Sequence, residues 1–191
     1  MEVEYLPFKF GTVTGDFWCR ENNLTSLKGA PSKVEGIFDC QLNNLSSLKG
    51  APIKVGSFWC NRNKLTSLEG APKKVERSFW CNNNNLTSLK GAPKEVGGVF
   101  RCGLNKLTSL KGAPKKVGVF RCELNKLTSL KGAPEKVRRD FWCDKNKLRS
   151  LEGAPKEVGG NFYCRDNPKS FTVDEVKAVS KVGKNIYVKV Y

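Results

Sequence analysis

Histidine is absent from this 191-residue chain. Without it there is no Ser/His or Cys/His nucleophile pair, no histidine metal ligand and no proton shuttle near neutral pH. Most enzyme classes lose their usual machinery at once. Long apolar runs are missing too: nothing approaches the ~18 consecutive apolar residues of a membrane span. The first residues, MEVEYLPFKFGT, have neither a basic start nor an apolar stretch, so no secretory signal is read there. The chain is therefore expected to be soluble and cytoplasmic, and the glycosylation sequons at Asn23, Asn44 and Asn85 have no route to matter. Acidic residues are scarce, at 18 against 34 lysines and arginines, which leaves a formal charge of +16. Such an excess favours acidic partners: nucleic acid, an anionic surface or an acidic protein.

What is present is repetition. Cysteines fall at 19, 40, 60, 81, 102, 122, 143 and 164, a spacing of 20 or 21 residues throughout. A fixed period of this kind marks a repeat architecture and is read before anything else. The common phrase is V-x(2,3)-F-x-C-x-x-N-x-L-T-S-L-[KE]-G-A-P, as in Val96, Phe100, Cys102, Asn105, Leu107, Leu110 and Pro114. The eighth copy breaks after Asn167.

Side chains alternate along a strand, so F-x-C turns Phe and Cys to one side and the middle residue to the other. Between Leu110 and Val117 only six residues remain, Gly112 and Pro114 among them, and no helix fits. Each repeat is thus a short strand, a turn and an extended return, and can bury its apolar face only against its neighbours. With strands roughly 4.8 Å apart, eight of them make a parallel sheet on the order of 35–40 Å long. A back layer as thin as the strand layer predicts gentle curvature.

The phrase resembles the leucine-rich repeat, whose L-x-x-L-x-L-x-x-N-x-L core is matched by F-x-C-x-x-N-x-L, with Phe and Cys at leucine sites. Its short Pro-containing return is similar to the 20-residue class of bacterial type III secretion effectors, and "LTSLKGAPKKVGGxFxC" resembles arrays encoded by tailed phages and some bacteria. The resemblance spans about residues 10–171. It implies a mainly β leucine-rich-repeat solenoid with eight to nine short parallel strands and an extended, non-helical back. For function it implies a binding scaffold, specifically a phage or bacterial accessory protein that binds and blocks a host protein such as a defence factor.

An open stack needs caps. A single domain is expected, with residues 1–9 as the N-terminal cap, 10–171 as eight repeats and 172–191 as the C-terminal cap. In "FTVDEVKAVSKV", Thr172 and Glu175 form a capping box and Val173, Val176 and Val179 share a face, predicting a helix over about 173–181. The text Val182-Gly-Lys-Asn-Ile-Tyr-Val188 aligns with Val158-Gly-Gly-Asn-Phe-Tyr-Cys164 and predicts a ninth strand, about 186–190.

The constant residues read as structural. Eight cysteines on one interior rung lie about 4.8 Å apart, too far for the roughly 3.5–4.5 Å between Cβ atoms of a disulfide, and without C-x-x-C or histidine they make no metal site. They serve as small apolar filler. The asparagines at 22, 43, 63, 84, 105, 125, 146 and 167 form a second ladder that bonds turn backbone. No catalytic, cofactor or metal residue is assigned.

Function then falls to the outward positions. Between Phe and Cys stand Trp18, Asp39, Trp59, Trp80, Arg101, Arg121, Trp142 and Tyr163, with Tyr187 on the ninth strand. Trp, Tyr and Arg are the residues enriched in interface hot spots. Together with Val99, Leu104, Val119 and Leu124 they form the candidate partner-binding patch, flanked by Trp59 and Trp80 on one side and Trp142 on the other. The competing reading is that these aromatics only stack along the ladder and stiffen it.

Lysines lie elsewhere. Lys64, Lys106, Lys126 and Lys147 follow the asparagine and line one edge, while Lys49, Lys73, Lys74, Lys90, Lys111, Lys115, Lys116 and Lys131 decorate the turn and back. Such rails allow nucleic acid as the alternative partner, with stacked aromatics holding single-stranded bases. The sheet face itself is nearly balanced in charge, which argues against nucleic acid lying on it. An apolar sheet face also allows self-association.

Overall fold

The computed structural model describes Leu6 and residues 10–188. The N-terminal cap expected over residues 1–9 lies outside them except for Leu6, which packs against the core. Among the described residues, fourteen strand segments join in one sheet, parallel at every pairing.

Each repeat contributes two rungs, one at its valine and one at its Phe-x pair. Val34 registers with Val55, and Phe38 with Phe58. Lys33–Asp39, Lys54–Trp59, Glu95–Arg101 and Lys116–Arg121 run through both rungs as single strands. Elsewhere the rungs separate into two-residue strands, as in Lys74–Val75 and Phe79–Trp80. The cause is the one-residue wobble: two residues separate Val55 and Val117 from the next Phe, and three separate the others. The extra residue shifts the register between Val34 and Ile37 and between Val96 and Val99, as a bulge does. Side chains help to replace the ladder bonds lost there. Asp16 Oδ1 accepts from the Ile37 N–H at 2.7 Å, Ser78 Oγ from Val99 at 3.3 Å and Asp140 Oδ1 from Asn161 at 2.8 Å.

The interior is built of columns. From the second repeat on, Val, Phe, Cys and two Leu of each full repeat are buried, Phe38 through Phe162 completely. Phe rings stack down the core at 5.3 Å (Phe38 on Phe58), 5.5 Å (Phe58 on Phe79) and 5.4 Å (Phe100 on Phe120). The eight cysteines are free and buried. The thiols of Cys40, Cys81, Cys102, Cys122 and Cys143 donate to the adjacent strand, Cys81 Sγ to Arg101 O at 3.3 Å and Cys143 Sγ to Tyr163 O at 3.1 Å. Burial, with the nearby Asp39 charge second, pushes the Cys19 thiol up to about 12, and burial raises Cys60 further. Because only the thiolate reacts readily, a disulfide-exchange reagent at pH 8 should find all eight thiols slow in the native protein, and all eight fast after denaturation. Rapid labelling of an interior cysteine in the folded chain would contradict the ladder.

Asparagines tie each turn to the next. Asn105 Oδ1 accepts from the Leu86 N–H at 3.0 Å, while its amide nitrogen donates to Cys81 O at 3.1 Å, Cys102 O at 3.1 Å and Gly103 O at 3.2 Å. The residue before it takes a left-handed conformation, φ 55° at Leu104 and 57° at Leu124. That costs a non-glycine residue about 1–2 kcal/mol, and the asparagine's bonds back to the two carbonyls before it, Cys102 O and Gly103 O, hold it there. At the opposite turn, Gly112 has φ 95°, and a Cβ on it would stand 2.7 Å from Leu89 O of the preceding repeat. Glycine is required on both counts.

The C-terminal helix covers Val173–Val179, two residues shorter than the sequence predicts. Thr172 Oγ1 accepts from the Glu175 N–H at 3.1 Å and Glu175 Oε2 from the Thr172 N–H at 2.9 Å, closing the capping box. Ser180 is already extended, at φ −147° and ψ 131°, and its N–H bonds Val176 O, which ends the helix. Ile186–Tyr187 then pairs with Phe162–Tyr163, and Val182 with Val158. The predicted strand reached 190, and residues 189 and 190 lie outside the described residues.

Candidate protein-binding face

The parallel register places the variable residue of every repeat in one outward row. Its order is Trp18, Asp39, Trp59, Trp80, Arg101, Arg121, Trp142, Tyr163 and Tyr187. Trp59 and Trp80 stack at 4.5 Å with planes 7° apart. Arg101 lies over Trp80 at 5.4 Å and Arg121 over Trp142 at 4.5 Å. Trp142 stacks on Tyr163 at 3.6 Å and Tyr163 on Tyr187 at 4.6 Å, with Arg165 over both tyrosines. Aromatic pairs contribute about 0.5–1.5 kcal/mol each and cation–π contacts about 0.5–2 kcal/mol. The row therefore also stiffens the sheet.

Two further predicted pairs fall into register beside it. Val99 lies opposite Val119, both half-buried, and Arg101 opposite Arg121. Leu104 and Leu124, at the left-handed positions, stand 49% and 41% exposed. Six of the predicted residues, Val99, Arg101, Leu104, Val119, Arg121 and Leu124, thus form one apolar and cationic centre with Trp80 and Trp142 at its borders. Trp18 is set apart from the other indoles. It is 64% exposed, and Asp39 separates it from Trp59.

Sequence reasoning missed two features of this face. Asp39 is 1% exposed, shut in between two tryptophan-bearing strands, with Arg20 Nη1 at 3.8 Å and Gln41 donating from its backbone N–H at 3.1 Å. Burial outweighs these partners and raises its pKa. A carboxyl whose folded pKa is raised contributes stability while protonated, and loses it as pH rises through that value. Asp39→Asn keeps the shape and removes the charge. It is expected to raise the unfolding midpoint at neutral pH, with the gain shrinking as pH falls below the carboxylate range. A lower midpoint at pH 7 would show that Arg20 outweighs the burial.

The second feature is the pairing within the row two residues beyond the variable one: Arg20, Gln41, Asn61, Asn82, Gly103, Glu123, Asp144 and Arg165. Strand alternation puts x and x+2 on one face, and the charge balance of that face already counted Arg20, Glu123, Asp144 and Arg165, but not which of them meet. Arg121 donates from Nε and Nη2 to Glu123 Oε1 at 3.1 and 3.0 Å. Asp144 Oδ1 accepts from Arg165 Nε at 3.2 Å. Trp59 Nε1, Trp80 Nε1, Asn61 Oδ1, Asn82 Oδ1, Arg101 Nε and Glu123 Oε2 are buried without partners. Burial, then the like charge of Arg121, lowers the Arg101 pKa against a weaker opposing effect of Glu123.

The edge lysines are a different surface. Lys64, Lys106, Lys126 and Lys147 are exposed, and none makes an ion pair among the described residues. On the turn and back, acids neutralise part of the charge: Lys90 meets Glu69 at 2.8 Å, Lys116 Glu95 at 3.3 Å and Lys131 Glu152 at 2.9 Å. Among the described residues no three His, Cys, Asp or Glu side chains gather as for a metal ion, and no helix is long and apolar enough to cross a membrane.

Stacked parallel rungs, an asparagine ladder at each strand's exit and a helix-free return together define a leucine-rich-repeat solenoid. Among solved structures, the leucine-rich-repeat domain of a Shigella effector matches with a TM-score of 0.72 at 22% identity, over 92% of this chain and 81% of that one. At that identity the likeness is one of fold. No protein-family model and no curated protein matches the chain.

Proposed function

We propose that this protein is a non-enzymatic scaffold that binds another protein through its outward sheet face, centred on Trp80, Arg101 and Arg121. The observation that carries the reading is the composition of that centre. Exposed Leu104 and Leu124 lie beside an arginine pair set between aromatic stacks, and exposed apolar groups around Trp, Tyr and Arg are the makings of an interface hot spot. The finer reading is a phage or bacterial accessory protein that binds and blocks a host protein, such as a defence factor. Its support is the resemblance of the repeat text to phage-encoded arrays.

Nucleic acid at the edge lysines is the alternative, and the stacked row weighs against it. Base stacking needs a free ring face. Trp80, Trp142 and Tyr163 each have both ring faces covered by a neighbouring ring or guanidinium, at 3.6–5.4 Å between centres.

The test is affinity capture from bacterial host cytoplasm, with nuclease and salt controls, using wild type and the Trp80→Ala/Arg101→Ala double variant. A specific protein, nuclease-insensitive and lost by a variant that still unfolds cooperatively, is the expected result. Capture of nucleic acid that falls steeply between low and moderate salt, or undiminished capture by the double variant, would reject the reading.

A further inference from the structure

We infer that the partner presents a carboxylate, an Asp or Glu side chain set among apolar residues, to the outer edge of the Arg101 guanidinium. This rests on the protein-binding reading of the same face. Along the outward row, the polar variable residues Asp39 and Arg121 find help two residues on in their own repeats. Gln41 Nε2 donates to Asp39 Oδ2 at 3.3 Å, and Glu123 Oε1 accepts from Arg121 Nε at 3.1 Å. In the fifth repeat that position is Gly103, which has no side chain to offer. Arg101 is left with a buried Nε that has no acceptor, and among the described residues no carboxylate lies within 4.0 Å of its guanidinium.

Its neighbour sharpens the deficit. Arg121 stands directly opposite in the parallel register, and like charges so placed destabilise a sheet. Glu123 approaches Arg121 to 3.0 Å and acts on Arg101 only from farther away, one acid between two guanidinium groups. The pair keeps a net positive charge in a half-buried setting, flanked by Lys106 and Lys126, which are exposed and without ion pairs. Glu123 already lies over Gly103, so a second carboxylate balances the pair from outside, accepting two parallel N–H bonds from the outer nitrogens of the Arg101 guanidinium. Trp80, 5.4 Å beneath, already holds that guanidinium in place, so little freedom is lost on binding. The surroundings choose the carrier. Val99, Val119, Leu104 and Leu124 would meet apolar side chains, which an acidic polypeptide has and a phosphate backbone lacks.

The probe is a displayed library of random twelve-residue peptides selected on the full chain, followed by synthetic copies of the enriched sequences. An acid flanked by apolar or aromatic residues should recur. Arg101→Gln should weaken binding at least about thirtyfold, as should Glu→Gln or Asp→Asn in the peptide. The two changes together should cost no more than either alone, since both remove one contact. The unfolding midpoint of Arg101→Gln should fall only slightly, because the contact over Trp80 is lost while repulsion from Arg121 is relieved and no ion pair is broken.

Enriched peptides that lack an acid, or that bind Arg101→Gln as tightly, would overturn the carboxylate while leaving the face intact, provided that Trp80→Ala abolishes their binding. Peptides indifferent to Trp80→Ala as well would overturn the face. No enrichment, with a twenty-residue oligothymidylate quenching the tryptophans instead, would overturn both.

Discussion

Truncating Phe100 to alanine is expected to cost about 3–5 kcal/mol, read as a lower denaturant midpoint. The ring is fully buried and lies between Phe79 at 5.5 Å and Phe120 at 5.4 Å. The hole cannot collapse, because the valine, cysteine and leucine columns on either side keep the strands at their spacing. Repeats touch only their neighbours, so a weak central rung separates two halves of the stack. The transition should broaden as well as move. Phe17, half-buried at the described end of the same column, serves as the control: alanine there should cost less. Equal losses at both positions would mean that the column does not share its load as described.

Asn105→Ala is expected to cost roughly 2–4 kcal/mol, although it removes only a small polar group. The Leu86 N–H loses its partner, and the carbonyls of Cys81, Cys102 and Gly103 each lose one of two, keeping Asn84 Nδ2, Asn125 Nδ2 and the Asn83 N–H. An unsatisfied buried donor costs about 1–3 kcal/mol and each further lost bond about 0.5–1.5 kcal/mol, and local relaxation recovers part of the sum. Leu104 would also lose the bonds that hold its left-handed backbone. Asn22, exposed at the start of the ladder with one side-chain bond of 2.7 Å to Arg20 O, should lose less than about 1 kcal/mol on the same change. Urea midpoints for the two variants give the comparison, and similar shifts would contradict the ladder's role.

The inward half of this molecule was legible because it repeats. A fixed spacing of Phe, Cys, Asn and Leu, with strand alternation, leaves one arrangement that buries them all, and the parallel rungs follow from it. The capping box at Thr172 and Glu175 was readable for a local reason, since its bonds stay within four residues. Helix length was less so. Ser180 leaves the helix so that Lys181–Val182 can pair with Glu157–Val158, a contact more than twenty residues away.

Uneven strand lengths escaped for a similar reason. The wobble before Phe is visible in the text, but its effect as a bulge depends on the neighbouring repeat. On the outward face, the row of variable residues was readable and the relations between them were not. Asp39 looks like any surface acid until Trp18 and Trp59 close over it. Gly103 looks like repeat drift until register sets it beside Glu123 and leaves Arg101 without an ion pair. The left-handed turn at Leu104 and Leu124 was hidden because leucine is not a residue that signals positive φ.

The account divides the repeat into inward residues that hold the stack and outward residues that recognise a partner. All four tryptophans occupy the outward row, at 18, 59, 80 and 142. Acrylamide quenching of their fluorescence, with and without a saturating amount of the captured partner, therefore examines the division directly. Docking across Trp59, Trp80 and Trp142 predicts strong protection in the complex. A fully formed complex with unchanged quenching would place the partner elsewhere and leave the stacked row as a stiffener alone.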